Sequence, residues 1–283
     1  MRSGRPHYTF RPSSPCGALW QTETALFIGS SLWDGRTHHL DKMTLRELVK
    51  AYFAFSAIQI YLVVSTIAAG FFISLAGNPW QLLLIAGLSP FFYGFVWYLL
   101  HRYVLHGHLL YKSPLTAPVW KRIHFDHHQD PNNLGVLFGA PYTTLPTILA
   151  ATLPFGWVLG GPAGAALAVT IGLLLTCFYE FYHCIEHLRY APQMALILRM
   201  KKLHLAHHFH NENGNYGIID FSWDRVFRTF YSNPKTFTRS PTVFNLGYDG
   251  DESVKFPWVA RLSAHKPGSI PAGPPGVSTD AYT

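Results

Sequence analysis

At 283 residues the chain has room for one large domain or two small ones, and 49% of its residues are hydrophobic, 16% aromatic and only 13% charged. A soluble domain carries about 25% charged residues, so this composition argues against an ordinary soluble enzyme and against a disordered chain. The net charge of +7 does not mark a nucleic-acid partner, because the Lys and Arg residues flank apolar stretches instead of clustering with aromatics on one exposed face.

In chain order, residues 1–50 read as a surface or interfacial lead-in. Pro6, Pro12 and Pro15 discourage an early helix. The apolar stretch 25–33 is short and broken by Gly29, Ser30 and Ser31, so no cleavable signal is expected. Thr44 with Glu47 three residues on has the spacing of a capping box and predicts a helix start. Residues 51–76, 79–100, 142–160 and 163–179 contain no Asp, Glu, Lys or Arg, and a hydrocarbon core takes roughly 17–25 helical residues to cross. The expectation is an all-α integral membrane domain over 51–260 with four transmembrane helices, arranged as two hairpins. Pro90, Pro146 and Pro154 predict kinks, and the Gly- and Ala-rich start of the fourth segment predicts close helix packing.

Lys42, Arg46, Lys50, Arg102, Lys112, Lys121, Arg122, Arg189, Arg199, Lys201 and Lys202 all fall at the same end of the apolar segments. The connections 77–79 and 160–162 carry no charge. By the bias of Lys and Arg toward cytoplasmic loops, both termini and the 101–141 loop belong in the cytoplasm, and 101–141 with 183–260 should form a helical cap there. Cys16, Cys177 and Cys184 make no even framework and suit a reducing compartment. The tail 261–283, with Pro267, Pro271, Pro274 and Pro275, is expected to be disordered.

Eleven of the sixteen histidines fall in two windows, 101–128 and 183–208. Ten of them form four groups: His101-x4-His106, His124-x2-His127-His128, His183-x3-His187 and His204-x2-His207-His208. Helical residues three and four apart share a face, so each H-x2-H-H should point three imidazoles one way. The five-residue step from His101 to His106 fits a frayed helix end better than a regular turn. Concentrated imidazoles repel when protonated, and neutral imidazole is the commonest metal ligand. Ten ligands exceed one tetrahedral zinc and suit two metals with about five nitrogens each. Imidazole binds Zn, Cu, Fe and Ni alike; the membrane setting favours redox iron, because an unactivated C–H bond of a lipid yields to dioxygen chemistry that zinc does not perform.

Lys201-Lys202-Leu203-His204-Leu205-Ala206-His207-His208-Phe209, then Gly217-Ile218 and Trp223-Asp224-Arg225-Val226-Phe227, resemble the fatty acid hydroxylase and sterol desaturase superfamily of membrane di-iron oxygenases, closest in look to the fatty acid 2-hydroxylase branch. The resemblance covers roughly 101–231. It implies that His101, His106, His124, His127, His128, His183, His187, His204, His207 and His208 hold two iron ions, with dioxygen as cosubstrate and zinc as an occupant after overexpression. His108 and His210 fall outside that pattern. The implied reaction is hydroxylation of a lipid, foremost a fatty acyl chain, free or in a sphingolipid. No fused haem-binding domain is seen, so electrons are expected from a separate ferredoxin or small cytochrome. Lys121, Arg122, Arg199, Lys201 and Lys202 are placed either to anchor at the membrane interface or to steer such an acidic donor. Asp126, Glu180, Glu186, Asp220 and Asp224 are candidate acceptors behind the ligands.

Two departures bear on the substrate. Asn215-Tyr216-Gly217 stands where the 2-hydroxylase branch more often has Phe between glycines, and keeps a sterol or carotenoid oxidase or desaturase as the alternative. Arg228 stands where Gly is frequent. Of readings from other classes, His183-Cys184-Ile185-Glu186-His187 matches the H-x-x-E-H zinc peptidase motif, which leaves three clusters unexplained. A metal transporter would place its site near the bilayer midplane, where these crossings hold neither charge nor histidine.

Overall fold

A computed structural model describes residues 38–75 and 77–269. The chain divides after residue 36 into two units; the first lies wholly outside the described residues, and the second holds all the described helices. The lead-in before residue 38 and the tail beyond residue 269 are therefore outside the described residues.

Helix α1 (Leu45–Ala54) begins as the sequence predicts. Glu47 N–H donates to Thr44 Oγ1 at 3.3 Å and Thr44 N–H donates to Glu47 Oε2 at 2.8 Å, a complete capping box. It does not run into the first apolar helix. Phe55 is extended (φ −76°, ψ 128°), and α2 (Ser56–Ser74) starts after it, so the charge-free stretch from residue 51 overstated the first long helix by one turn. Helix α3 (Pro79–Leu99) starts on Asn78, whose side chain accepts from Trp80 N–H at 2.9 Å, with Pro79 at the first helical position where its missing N–H costs nothing.

Among the described residues three segments are long and apolar enough to cross a membrane: Ser56–Ser74, Pro79–Lys112 and Leu134–His187. The third contains α7 (Pro141–His187), which is broken at Gly160 (φ −153°) and Gly161 (φ +60°, ψ −149°). A left-handed φ suits glycine because it has no Cβ to clash. The chain folds back there. A Cβ on Gly156 would collide with the Gly164 carbonyl oxygen, and one on Gly172 would lie 2.6 Å from Thr152 Cγ2, so the two arms of α7 pack antiparallel through their glycines. Pro146 and Pro154 sit inside the helical first arm and Pro90 inside α3; the non-helical backbone of α7 is at the glycines. Helices α2 and α3 both pack against α7, while Ile73, Trp80, Phe91 and Val158 stay exposed, as side chains facing lipid would.

The remaining elements are short. They are α4 (Ala117–Trp120), α5 (Asp126–Gln129), α6 (Leu134–Leu137), α8 (Ala195–Phe209), α9 (Ser222–Val226), α10 (Gly250–Lys255) and α11 (Trp258–Leu262). Tyr111, Trp120 and Phe125 pack with Leu246, Tyr248 and Val259, joining the 110–125 region to the C-terminal helices. α11 crosses the boundary placed at residue 260, and Gly268 N–H donates to Ser253 Oγ at 2.8 Å. No strand occurs among the described residues; the one β-bridge joins His39 and Asn133.

Candidate metal centre

The ten histidines of the four clusters come together, and nine of them are buried, with His106 partly so. Their local backbone explains how. In a regular α-helix, residues five apart lie about 140° apart around the axis. After α3 the chain widens into a π-helical turn (Leu100–Leu105), in which His106 N–H donates to the His101 carbonyl at 3.0 Å and the two rings meet at 4.9 Å. The five-residue spacing is thus an ordered turn and not a frayed end. A second π-helical turn (Lys121–Phe125) leads from α4 into α5 and carries His124.

The imidazoles sort into two groups. His127, His183, His187, His204 and His208 form one; His101, His106, His124 and His207 form the other, with candidate ligand atoms in each within 4.8 Å of one another. His128 forms a third such set with His207 and His208 and contacts the rings of His106 and His124 at 5.0 and 4.7 Å. Each H-x2-H-H is therefore divided, contrary to the expectation of three imidazoles aimed together. His124 and His128 go one way and His127 the other; His204 and His208 go one way and His207 the other. Residues four apart are only about 40° apart on a helix, while the one between them sits far enough around to face a second centre.

The nitrogens are spaced as ligands. His101, His106 and His124 bring their Nε2 atoms within 2.9 to 3.2 Å of one another, and the His127–His183 and His187–His204 Nε2 pairs lie at 3.0 Å. A metal with Zn–N-like bonds of about 2.0–2.1 Å separates adjacent ligand nitrogens by about 2.9–3.4 Å. Tautomers point the same way. His101 Nδ1–H donates to the Tyr216 carbonyl (2.5 Å), His207 Nδ1–H to Gly214 (2.7 Å) and His128 Nδ1–H to Val243 (2.9 Å), which leaves each Nε2 with a bare lone pair facing inward. Nε2 of His128, His207 and His208 finds no protein partner. Burial holds His124, His127, His128, His204 and His208 well below the usual imidazole range, and His207 down to about 4, so these imidazoles are neutral at physiological pH. Converging lone pairs in a dry site call for a cation. The residues fit a metal pair.

Of the acids named from sequence, Asp126 instead takes Lys121 Nζ at 2.6 Å. Asp220 accepts from Ser222 N–H at 2.9 Å. Asp224 acts one step further out, accepting from Tyr216 N–H (2.9 Å), Gly217 N–H (2.8 Å) and Thr229 Oγ1 (2.7 Å), and so holds the loop whose carbonyl takes His101. Glu186 lies 3.8 Å from His204 Nδ1, and Glu180 lines a cavity beneath the histidines. The acceptors that sequence reasoning missed are the carbonyls of Gly214, Tyr216 and Val243. Their trace was Gly214 and Gly217, where a Cβ would collide with the carbonyl oxygens of Thr229 and Asp220 respectively. Arg228 has φ +58°, a conformation glycine adopts freely, which accounts for a position where Gly is frequent in the resembled family. His108 is exposed, and His210 Nε2–H donates to the Phe237 carbonyl at 2.8 Å, outside both groups.

The cavity is apolar and measures about 160 Å³, far more than the 10–15 Å³ a single water needs. It reaches from His101, His124 and His127 along α3 to Phe92, and along the first arm of α7 from Thr143 to Thr152, with Thr176 and Glu180 from the second arm. The nine steps of helix from Thr143 to Thr152 make this stretch of it about 13 Å long. Of the basic residues considered for steering, Lys121 is paired with Asp126, Arg122 donates to the Phe138 carbonyl at 3.0 Å and Lys201 Nζ donates to the carbonyls of Ile185, Leu188 and Tyr190; Arg199 and Lys202 are exposed.

Among the described residues, membrane-length apolar helices and a cluster of ten histidines able to hold metal, set over an apolar cavity, define a class of helical membrane protein with a candidate metal centre. Residues 86–229, just over half of the chain, match the fatty acid hydroxylase family, and the chain belongs to that family. It is 29% identical over 150 residues to the ceramide very long chain fatty acid hydroxylase of Saccharomyces cerevisiae, covering 48% of this chain and 36% of that one. It is 31% identical over 133 residues to a dihydroceramide fatty acyl 2-hydroxylase of Arabidopsis thaliana (47% and 54%) and 26% identical over 146 residues to the fatty acid 2-hydroxylase of Mus musculus (50% and 38%). The aligned region spans about a third to a half of these relatives' length. The solved structure titled full-length scs7p, with only its hydroxylase domain visible, shares the fold at a TM-score of 0.55 and 23% identity, over 65% of this chain and 68% of that one.

Proposed function

We propose that this protein is a membrane-bound, dioxygen-dependent hydroxylase of a lipid acyl chain, and that its ten clustered histidines hold two iron ions. The observation that carries the reading is that histidines of both groups line the same apolar cavity. His127, His183, His187, His204 and His208 would hold one ion, and His101, His106, His124, His128 and His207 the other. The bound pair would supply reductive activation of dioxygen for hydroxylation of a C–H bond, with two electrons per turnover from a ferredoxin or small cytochrome.

The chain's own residues do the rest. Phe92, Val96, Leu100, Ile148 and Ala151 line a dry slot that takes an apolar chain and excludes water. The lipid need not leave the bilayer to enter it, which spares about 0.8 kcal/mol for each methylene that would otherwise be exposed to water. The carbonyls of Tyr216, Gly214 and Val243 fix three ligand rings in the tautomer that presents Nε2. Four crossings, with α7 supplying two through its fold at Gly160–Gly161, and a cytoplasmic histidine face follow from the distribution of Lys and Arg. The lead-in at 1–50 and the tail at 261–283 flank this catalytic region.

Relatives named for ceramide, dihydroceramide and fatty acyl chains favour an acyl substrate. Tyr216, the departure that kept a sterol in view, does not line the cavity; its carbonyl takes His101 and its ring packs against His101, His106 and His207. Lipid mass spectrometry of cells expressing the wild type beside His207→Ala tests the proposal. A gain of about sixteen mass units, one oxygen atom, on acyl lipids in the wild type alone is expected; a change confined to sterols or carotenoids would replace the substrate, and no lipid change with a competent donor present would refute the reading.

A further inference from the structure

Glu186 is fully buried, and neither of its carboxylate oxygens has a hydrogen-bond partner in the protein. An isolated carboxylate in such a place costs several kcal/mol of desolvation and persists only where a charge or strong donor compensates it. The charge of Lys201 reaches Glu186, but its ammonium makes no hydrogen bond to the carboxylate and donates to three carbonyls at and just beyond the C-terminal end of α7. The other polar atom beside Glu186 is His204 Nδ1, at 3.8 Å, which also lacks a partner. His204 directs its opposite nitrogen, Nε2, at His187 Nε2 3.0 Å away, inside the five-histidine group. The carboxylate therefore stands directly behind one ligand of one group.

We propose that Glu186 is a positioning residue that accepts His204 Nδ1–H and places one negative charge behind the ion held by His127, His183, His187, His204 and His208. This rests on the reading of the histidines as ligands. A shift of about 1 Å closes the gap to charge-assisted bond length, about 2.7–2.9 Å. Binding at Nε2 withdraws charge from the ring and strengthens the Nδ1–H donor, so ion and carboxylate compensate each other. In the other group the three rings with an acceptor at Nδ1, those of His101, His207 and His128, donate to the neutral carbonyls of Tyr216, Gly214 and Val243. Ten neutral imidazoles bring no negative charge to a pair of dications, and Glu186 makes the two positions unequal. The position that includes His204 then binds its ion more tightly and holds it at a lower reduction potential than a neutral acceptor would.

Cobalt(II) is the probe, titrated into the metal-free full-length chain in detergent and followed by its visible ligand-field bands. Wild type, Glu186→Gln, Glu186→Leu and Glu186→Asp are compared, each with a thermal melt of the metal-free form. Two cobalt ions are expected for wild type. In Glu186→Gln and Glu186→Leu one of the two should bind about 10–100-fold more weakly with altered bands, the other unchanged, while Glu186→Asp recovers part of the loss. The metal-free Glu186→Leu chain should melt no lower than wild type, because it loses an unpaired buried acid; weaker binding with undiminished stability separates positioning from support of the fold. Two cobalt ions bound by the Gln and Leu variants with wild-type affinity and bands would overturn the role of Glu186 alone. A wild-type chain that binds no cobalt would overturn the ligand reading with it.

Discussion

The two histidine groups are built from the same residue type but secured differently. In the group of His101, His106, His124 and His207, the rings of His101 and His207, with His128 beside them, are turned by hydrogen bonds to carbonyls in the loops at 214–216 and 243. In the group of His127, His183, His187, His204 and His208, Nδ1 of His127, His187, His204 and His208 meets no protein partner, and the rings are fixed by packing between α5, α7 and α8. A ring near a loop needs a directed bond to choose one orientation, because the backbone around it does not. A ring packed among other rings is already confined by its rotamers and its neighbours, whether on the short α5 (His127) or on α7 and α8. One group thus depends on the loops that carry its carbonyl acceptors and the other on the packing of α5, α7 and α8 against one another.

That contrast can be broken most directly by removing one ligand from each group. His204→Ala and His207→Ala should each abolish turnover, a loss beyond the roughly 10–100-fold typical of residues behind a ligand. Metal analysis should show His204→Ala keeping an ion in the group it left intact. If both variants lost all metal, the groups would be one cooperative site and the distinction would fail.

Acid comes next in size. The buried histidines outside the long helices have folded-state pKa values below the ordinary 6.5, His207 at about 4, so between these pH values the unfolded chain takes up protons that the folded chain refuses. Stability of the metal-free protein should be flat with respect to these groups above pH 7. It should fall as pH drops from about 6.5 toward 4, by about 3 kcal/mol from His207 alone. Melting temperatures of chelator-treated protein across that range give the check, and metal loading should protect where its ligands are neutral.

Asp224→Asn is a milder change that falls on the loop-held group. It removes a fully buried carboxylate from two backbone N–H groups and a hydroxyl, at a cost of about 2–3 kcal/mol for charged hydrogen bonds of this kind. Metal release should begin at the position that includes His101; release from the position that includes His204 first would contradict the comparison. Smallest is Thr44→Ala. It deletes the α1 cap, which touches no histidine of either group in the hydrogen bonds it makes, costs about 1 kcal/mol in thermal unfolding and should leave metal content untouched.

Much of this was legible in the residues. The four histidine clusters, the capping box at Thr44, the apolar helices and the uncharged turn at 160–162 follow from composition and spacing, because burial in lipid and the helical repeat act on residue types locally. The two π-helical turns were not legible, since Leu100–Leu105 and Lys121–Phe125 have no residue pattern that distinguishes i→i+5 bonding from a regular turn. Nor were the acceptors behind His101, His128 and His207, because a backbone carbonyl leaves no mark in the side chains.

By itself the sequence determined that the chain is helical, suited to a membrane and armed with ten candidate ligands, properties set by each segment's own hydrophobicity and period. Only the tertiary structure decided that His127 parts from His124 and His128, that His207 parts from His204 and His208, and that Glu186 stands behind His204 while Asp126 faces Lys121. Those choices depend on how α8 is rotated against α7 and on where distant loops close, and such long-range contacts are fixed by packing of the whole chain.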